Sequence, residues 1–282
     1  MIRSLLYVPA NMERFVAKAH ERSADAIILD LEDSVPPGEK LKARASLPDA
    51  VPAVTRNGAY AFVRINSTAE LAAEDAEAAC RAGAFGLFVT KARDPKALAA
   101  LASSLEPVER AIARPPLHFV AMIEDPGAVF DARTIAMATP RNLAMLAGGE
   151  DIATAMGAEP TPEVLRFPKL MVHLAAKAAG VLSWGLIATV ADYRDHDAIL
   201  RAAQEARDFG FDGASCIHPS VVPILNEAFT PSVAKHEEAR RILAEAERAL
   251  AEGRGAFVYN GRMVDEPILA RARALLRRWP DK

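Results

Sequence analysis

Ionisable side chains stand at the ends of several short apolar runs in this chain. The runs are AIILDLED, FVRIN, GLFVTKA, FVAMIED, LAGGED and SCIHP, and the residues concerned are Asp30, Glu32, Asp33, Arg64, Lys91, Glu124, Asp125, Glu150, Asp151 and His218. Carboxylates bind hard cations and transfer protons, whereas arginine and lysine bind anionic groups. If the runs are strands of one parallel barrel, these side chains meet at one end of it and form a single polar site.

Glu124 and Asp151 are the candidate metal ligands. They follow successive apolar runs, so they would lie on adjacent strands. Two carboxylates whose shell is completed by water and substrate oxygens are a common way to hold magnesium. For Asp151 the alternative is a helix N-cap, because it stands directly before IATAMG. Spacing alone leaves both interpretations open.

Arg64 ends an apolar strand, where a buried guanidinium needs a partner. Its planar fork suits bidentate binding of a substrate carboxylate, and the alternative is a structural ion pair with Glu32 or Asp33. Further along the chain, Gly148 and Gly149 leave backbone amides bare, so that these could approach a bound oxyanion.

His218 in CIHPS is a candidate general base, but the absence of a nucleophile motif favours a structural, hydrogen-bonded histidine. Cys80 and Cys216 are the only two cysteines, and their separation does not suit a zinc site. Cys80 lies in an Ala-rich helical pattern and is expected to be a small core residue. Two isolated thiols fit a reducing compartment, and we expect a cytoplasmic protein.

The elements that must position these residues alternate regularly. Apolar runs at 4–9, 26–33, 61–66, 86–92, 117–125, 142–151, 182–189 and 213–219 read as strands, with helical patterns between most of them. Because parallel strands need crossover connections, this alternation predicts an α/β fold. Eight units favour a closed (β/α)8 TIM barrel over 1–228. An open doubly wound sheet is the alternative, which the lack of G-x-G-x-x-G after the first strand weakens.

Residues 229–282 remain after the eighth unit and are predicted to form a C-terminal helical extension. It contains an amphipathic helix begun by Ser232 or Thr230 as N-cap, then a short β-hairpin around Asn260-Gly261, then a second helix. Such a segment cannot add to a closed barrel. It is expected to pack outside the barrel or against another subunit.

Bulk composition limits the partners. Of 282 residues, 51% are hydrophobic and 25% charged, which is typical of a globular protein with a substantial core. The net charge of −3 gives no support for nucleic-acid binding. No apolar stretch has the length of a membrane span or the pattern of a signal peptide. A small-molecule enzyme is therefore expected, with neither nucleic acid nor membrane as partner.

A series of motifs in fixed order resembles the HpcH/HpaI aldolase/citrate lyase family. The motifs are RSLLYVP, ADAIILDLEDSVPP, FVRIN, MIED, GGED, LMVHLAAKAAG, GFDGASCIHPSVVPILNEAF and NGRMVDEPILARAR. The branch they resemble is the stand-alone citrate lyase β-subunit-like proteins, which include malyl-CoA and citramalyl-CoA lyases. The likeness extends over nearly the whole chain.

The resemblance implies a magnesium-dependent carbon–carbon lyase that cleaves a 3-hydroxyacyl-CoA to acetyl-CoA and a 2-oxo acid. It implies that magnesium is the cofactor and that Glu124 and Asp151 bind it. The catalytic residues that it implies are Arg64, Asp265 and Glu32. The substrate-binding residues that it implies are Arg64, Gly149, Glu150, Asp33 and Lys91. It also implies a homo-oligomer, a trimer or hexamer, in which the extension covers a neighbouring subunit's active site and brings Asp265 there. For Asp265 the residues alone suggest an N-cap of the last helix.

Three segments depart from the family pattern. Ala10 replaces a Gly after the first-strand Pro, Thr90 replaces the Pro of an L-P-K motif, and SWGLIAT replaces I-D-G-V-Y in the seventh strand. All three are expected near the site, where they bear on substrate identity. The alternatives are a citrate lyase β subunit acting on citryl-acyl carrier protein, a CoA thioesterase, an aldolase that uses no CoA, and a barrel that binds metal and oxo acid without catalysis.

Overall fold

The computed structural model describes residues 1–187 and 193–278. Eight strands form one parallel sheet, and two more form a separate hairpin. In chain order they are β1 (Ser4–Pro9), β2 (Ala26–Asp30), β3 (Tyr60–Ile65), β4 (Gly86–Val89), β5 (His118–Ile123), β6 (Asn142–Ala147), β7 (Leu182–Trp184), β8 (Ala214–Cys216), β9 (Phe257–Tyr259) and β10 (Arg262–Val264).

The described residues also form helices. They are α1 (Glu13–Ala19), α2 (Lys40–Ala45), α3 (Leu47–Val54), α4 (Ala69–Arg81), α5 (Pro95–Ala111), α6 (Pro126–Ala136), α7 (Gly149–Met156), α8 (Pro162–Ala178), α9 (His196–Phe209), α10 (Val222–Phe229), α11 (Val233–Ala251) and α12 (Glu266–Arg278). None of the described helices is both long and apolar enough to cross a membrane.

The parallel sheet closes on itself. Its strands follow the order β7-β6-β5-β4-β3-β2-β1-β8. A parallel bridge between Trp184 and Gly213 joins the two outer strands, where the Gly185 amide donates to the Gly213 carbonyl at 2.9 Å. The Asp212 amide also donates to the Ser183 carbonyl at 2.8 Å. These bonds confirm the predicted (β/α)8 barrel and exclude the open sheet.

Most strands end earlier than predicted. The runs 26–33, 86–92, 117–125, 142–151 and 213–219 extend beyond the strands, and residues 188 and 189 of the run 182–189 lie outside the described residues. The physical reason is that the charged ends of these runs belong to loops and first helical turns. Asp125, for example, accepts a hydrogen bond from the Ala128 amide at 2.9 Å and caps α6.

The interior of the barrel is filled with aromatic side chains. Phe62 lies edge-on to Phe88 and Trp184, with ring centroids 5.4 and 5.8 Å away, and Phe88 stacks on Trp184 at 6.2 Å. Trp184 is 1% exposed. Trp184, which belongs to the seventh-strand departure from the family pattern, therefore packs in the barrel core.

Strand residues alternate between this interior and the surrounding helices. In β2, Ile28 belongs to the interior cluster, whereas Ile27 and Leu29 belong to the cluster that includes the helices. Both faces are apolar because a barrel strand is covered on both sides. Thr90, another departure, is buried and donates to the Ile65 carbonyl at 2.9 Å, so it supports the end of β3.

The chain folds as two compact units, one spanning Ile2–Phe229 and the other comprising Met1 and the residues from Thr230 on. In the second unit, α11 packs against α12, and Ser232 caps α11 by accepting from the Lys235 amide. β9 and β10 pair antiparallel, and the turn between them places Asn260 and Gly261 at φ +49° and +75°. Positive φ at both positions is what a type I′ turn requires.

At the end of the barrel where the strands begin, a buried ion pair connects α5 to the residue that precedes β6. Glu109 accepts from Arg141 through both carboxylate oxygens, at 2.5 and 2.7 Å, and it also accepts from the Leu117 amide at 2.8 Å. Glu109 is 4% exposed. Removing one partner of such a pair leaves an uncompensated buried charge.

Glu109→Ala is therefore expected to lower the free energy of unfolding by about 3–5 kcal/mol. Glu106→Ala is the matched control on the same helix, because Glu106 pairs with Arg110 in solvent and the loss should stay below about 1 kcal/mol. Urea unfolding of the three proteins measures the difference. Equal losses in the two variants would show that the buried pair does not hold these elements together.

Candidate active site

The barrel mouth is the end of the barrel at which strands β1 to β8 terminate. There Arg64 lies beside Asp30, with which it is in register between β3 and β2. Arg64 donates from Nε and from Nη2 to the two oxygens of Asp30, both at 2.7 Å. Asp30 is 1% exposed and also accepts from the amides of Glu32 and Ser34 at 2.9 and 3.1 Å.

This geometry bears on the two interpretations of Arg64, which were bidentate binding of a substrate carboxylate and a structural ion pair with Glu32 or Asp33. The ion pair exists, but its bidentate partner is Asp30, while Glu32 and Asp33 lie at 3.0 and 3.2 Å from Nη1. Asp30 occupies the Nε–Nη2 edge of the guanidinium, so a substrate carboxylate could bind bidentately only at the Nη1–Nη2 edge, where Glu32 and Asp33 lie. Burial alone would raise the pKa of Asp30, but the hydrogen bonds and charge of Arg64 lower it below its usual value.

Glu32 lies between Arg64 and Lys91. It is 5% exposed, and its other oxygen is 3.8 Å from the Lys91 ammonium. Burial raises the pKa of Glu32 to about 7, against the opposing charge of Arg64 and with the support of the Asp33 and Glu124 carboxylates. A carboxyl group with a pKa near neutrality can accept and return a proton efficiently.

Lys40 holds the loop that carries Glu32. Its ammonium donates to the carbonyls of Leu31 and Glu32 at 3.0 and 2.6 Å. Tyr7 completes the surroundings of Arg64, whose guanidinium carbon lies 5.0 Å from the centre of the Tyr7 ring. Sequence reasoning missed both roles, because neither the lysine in EKLKAR nor the tyrosine in LLYVP ends a strand.

Glu124 follows β5 and is 5% exposed. One carboxylate oxygen accepts from the Lys91 amide at 2.5 Å, and Lys91 adopts φ +50° to present that amide. Burial raises the pKa of Glu124, against the Lys91 amide and with support from the Asp151 carboxylate. The second oxygen has no hydrogen-bond partner among residues 1–187 and 193–278.

Asp151 is half-buried in the first turn of α7, whose N-cap position is occupied by Gly148. The alternative that Asp151 is the N-cap is therefore wrong, because the helix begins three residues earlier than that alternative requires. No described residue forms an ion pair or a hydrogen bond with the Asp151 carboxylate. Among the described residues, Asp151 and Glu124 thus form two neighbouring carboxylates without a cationic side chain in ion-pair contact, and Arg64 and Lys91 act on Glu124 without forming an ion pair with it.

This donor set fits a magnesium ion. Within the part of the chain that the structure describes, no group of three or more His, Cys, Asp and Glu residues could hold a metal. A site with only two carboxylates leaves positions for water and substrate oxygens, which is how magnesium is usually bound. A divalent cation would also relieve the repulsion between Glu124 and Asp151.

Two glycines are required here by close packing. A Cβ atom on Gly148 would lie 2.6 Å from Cγ of Glu124, and one on Gly149 would lie 2.8 Å from Leu165 and 3.0 Å from Lys169. Close packing therefore explains the presence of these two glycines, in addition to the predicted approach of their bare backbone amides to an oxyanion. Glu150, also predicted to bind substrate, is exposed in the first turn of α7.

His218 has the structural surroundings favoured by its sequence context. It stacks on Tyr193 with ring centroids 4.2 Å apart, and its Nδ1 lies 2.7 Å from the Ser220 hydroxyl and accepts from the Ser220 amide at 3.2 Å. These bonds begin the short helix Pro219–Val221. The two cysteines, Cys80 and Cys216, are buried and free.

Asp265 lies in the second unit, between β10 and α12. Its backbone carbonyl accepts from the amides of Ile268 and Leu269 at 3.0 and 3.1 Å, so it stands at the start of the helix as expected. Its side chain is exposed, and the described residues provide no hydrogen bond to the carboxylate. Capping therefore does not occupy the group that the resemblance assigns to acid/base chemistry.

Comparison with known proteins places this geometry in a family. The family model "HpcH/HpaI aldolase/citrate lyase" matches residues 3–219. The chain belongs to this family. Membership confirms the resemblance and the predicted enzyme class, a lyase.

Individual relatives cover nearly the full length. The chain is 34% identical over 284 residues to the citrate lyase subunit beta-like protein of Deinococcus radiodurans, covering 98% of this chain and 96% of that one. It is 34% identical over 285 residues to the (3S)-malyl-CoA thioesterase of Cereibacter sphaeroides, covering 97% and 93%. Among solved structures, CitE of Mycobacterium tuberculosis in complex with magnesium, acetoacetate and coenzyme A superposes with a TM-score of 0.80, at 32% identity, covering 99% and 98%.

The contact between Gly148 and Glu124 provides a test of the metal site. Gly148→Ala should displace the Glu124 carboxylate and weaken binding of Mn²⁺, measured by electron paramagnetic resonance, by roughly tenfold or more. Gly38→Ala is the control, because nothing lies within 4 Å of a Cβ at that position. Unchanged Mn²⁺ affinity in a folded Gly148→Ala protein would remove Glu124 from the ligand set.

Proposed function

We propose that this chain is a magnesium-dependent carbon–carbon lyase that cleaves a 3-hydroxyacyl-CoA of the malyl-CoA or citramalyl-CoA type. The products are acetyl-CoA and a 2-oxo acid. The observation that carries the proposal is the Glu124–Asp151 pair, to which no described cationic side chain is bound in an ion pair and which lies at the same barrel mouth as Arg64 and Glu32. Similarity to a CitE structure that contains magnesium, acetoacetate and coenzyme A supports it.

Glu124 and Asp151 would hold the magnesium ion. When bound, it supplies a Lewis acid and a template for the carboxylate and hydroxyl oxygens of the substrate. The Lys91 amide keeps the Glu124 carboxylate in one orientation, so that its second oxygen is available to a ligand. Gly148 allows the closeness of β6 to Glu124 that this orientation needs.

Glu32 is the proton acceptor in the proposed reaction, because its pKa of about 7 suits removal of the substrate hydroxyl proton. As that proton leaves, the bond between the hydroxyl-bearing carbon and the thioester α-carbon breaks. The 2-oxo acid forms, and the electron pair passes into the acetyl-CoA enolate. Protonation of the α-carbon then gives acetyl-CoA.

Arg64 stabilises the enolate in this scheme. Asp30 fixes the guanidinium through Nε and Nη2, so the positive charge is oriented before substrate binds. Asp33 and Lys91 line the entry side of Arg64 and Glu32 and bind substrate. Gly149 and Glu150 bind substrate at the start of α7.

Asp265 protonates the enolate from a neighbouring subunit in this proposal. Its exposed carboxylate has no hydrogen-bond partner among the described residues, which leaves it available to a second chain. The extension 229–282 would then cover the mouth of a neighbouring barrel in a trimer or hexamer.

A thioesterase is the second candidate, favoured by similarity to a (3S)-malyl-CoA thioesterase. In that reaction water attacks the thioester carbonyl, the C–S bond breaks, and CoA leaves as a thiol. The products separate the candidates, because hydrolysis yields a hydroxy acid and free thiol, whereas the lyase yields acetyl-CoA and an oxo acid. If the enzyme acts instead on citryl-acyl carrier protein, we expect it to cleave neither malyl-CoA nor citramalyl-CoA.

The test is product analysis with malyl-CoA and citramalyl-CoA in magnesium and then in EDTA. We expect glyoxylate or pyruvate release that requires magnesium, and a loss of kcat/KM of roughly a hundredfold or more in Glu124→Gln. Glu106→Gln on the exposed face of α5 should retain full activity. Release of free thiol without oxo acid, or oxo-acid release that persists in EDTA, would contradict the lyase assignment.

A further inference from the structure

Asp75 is a buried carboxylate that the proposed reaction does not use. It lies in α4, is 1% exposed, and contacts two other elements of the barrel. Its Oδ2 accepts from the backbone amide and from Nδ2 of Asn66, at 3.0 and 2.7 Å, and its Oδ1 accepts from Nε of Arg44 at 2.6 Å. A carboxylate can be buried to this extent because the guanidinium and the two N–H donors replace water. Asp75 therefore joins α4 to α2 and to the end of β3.

Asn66 extends this contact toward the barrel mouth. It follows β3 directly and is 6% exposed. Besides its bond to Asp75, Nδ2 of Asn66 donates to the carbonyl of Leu31 at 3.0 Å. The Leu31 amide in turn donates to the carbonyl of Arg64 at 3.0 Å. The peptide bond between Leu31 and Glu32 is thus held from the β3 side by a side chain that Asp75 orients.

Helix α2 supports the same arrangement. Lys40 and Arg44 are four residues apart, which places them on one face of this helix. Lys40 binds two carbonyls of the loop that carries Glu32, and Arg44 binds Asp75. Two paths therefore lead from α2 to this loop, one directly through Lys40 and the other through Arg44 and Asp75.

The polar character of these contacts has a cost. Desolvation of Asp75 and Arg44 offsets much of their attraction, and an apolar pair of similar volume is often as stable. Directed hydrogen bonds, in contrast, specify one arrangement of the groups that they join. Here they fix the backbone that carries Glu32 and Arg64, and the Glu32 carboxylate lies 3.0 Å from Nη1 of Arg64. A displacement of about 1 Å in a reacting site can lower the rate about a hundredfold.

We propose that Asp75 is a positioning residue for the reaction. Through Asn66 and the Leu31 carbonyl, it holds Glu32 beside Arg64. This role rests on the proposed function, in which Glu32 accepts the substrate hydroxyl proton. Asp75 itself forms no hydrogen bond or ion pair with the two carboxylates that would bind the metal, so it acts on the base and not on the metal site.

The kinetics of Asp75→Asn are the first test. Asparagine keeps the shape of the side chain, but its NH₂ group must face either Arg44 or Asn66, both of which donate. With malyl-CoA or citramalyl-CoA, whichever the wild type cleaves, kcat should fall roughly tenfold or more. KM should change less than about twofold, because the groups that bind substrate and metal remain in place.

Glu74→Gln is the matched control. Glu74 is the neighbouring residue on α4 and binds the same Arg44 from an exposed position, without contact to Asn66. Its kcat and KM should both stay within about twofold of wild type. An equal loss of kcat in Glu74→Gln, or full activity in Asp75→Asn, would contradict the positioning role.

A double-mutant cycle with Glu32→Gln separates positioning from general stabilisation. If Asp75 acts through Glu32, Asp75→Asn should lower kcat roughly tenfold or more in the wild type but less than about twofold in Glu32→Gln. If Asp75 only stabilises the fold, both backgrounds should lose the same factor, and that result would overturn the proposal. Asn66→Ala removes the bond to Leu31 and keeps the backbone bond to Asp75. It should behave like Asp75→Asn and takes its place if that variant does not fold.

Crystal structures of the wild type and of the same variant test this role without an assay of activity. In the variant the Glu32 carboxylate should lie about 1 Å or more farther from Nη1 of Arg64, while the pair between Arg64 and Asp30 is unchanged. A Glu32 side chain that stays in place would overturn the proposal. If the wild type cleaves neither CoA ester, the proposed function fails, and this measurement still decides whether Asp75 positions Glu32.

Discussion

Glu124 and Asp151 lie close enough to repel each other, and no described side chain forms an ion pair with either carboxylate, although the charges of Arg64 and Lys91 act on Glu124 to lower its pKa. Burial adds to the cost of ionising Glu124. The chain nevertheless holds this arrangement with features that have their own cost: Lys91 adopts positive φ to aim its amide at Glu124, and Gly148 omits a side chain to make room. Such an arrangement is stabilised when a divalent cation binds.

The barrel fold brings the charged side chains of the mouth together. Residues that end neighbouring parallel strands lie side by side, so Asp30 and Arg64 form a buried pair across β2 and β3. That pair fixes the guanidinium, and the fixed guanidinium lies at 3.0 Å from Glu32. Fixed dipoles and charges act strongly in a partly desolvated mouth, since less solvent reorganisation is then needed during reaction.

The barrel and the meeting of charged residues at its mouth were predictable from the sequence, because alternating strand and helix patterns admit few topologies and place strand ends together. The predicted partners Glu32 and Asp33 do pair with Arg64. The bidentate partner Asp30 was not predictable, since it depends on the register between β2 and β3, which is a tertiary property. Asp75 was also missed. It lies inside an Ala-rich helical pattern, where only the packing of α4 reveals that its carboxylate binds the end of β3.

The central claim is that Glu124 and Asp151 together hold the catalytic metal. Its most direct test is a crystal structure of the protein with Mn²⁺ and pyruvate, with data collected at the manganese absorption edge. The expected result is an anomalous peak at about 2.1 Å from one oxygen of each carboxylate, with pyruvate oxygens on the same ion. A peak that contacts neither carboxylate, or only one of them while the other turns away, would contradict the claim.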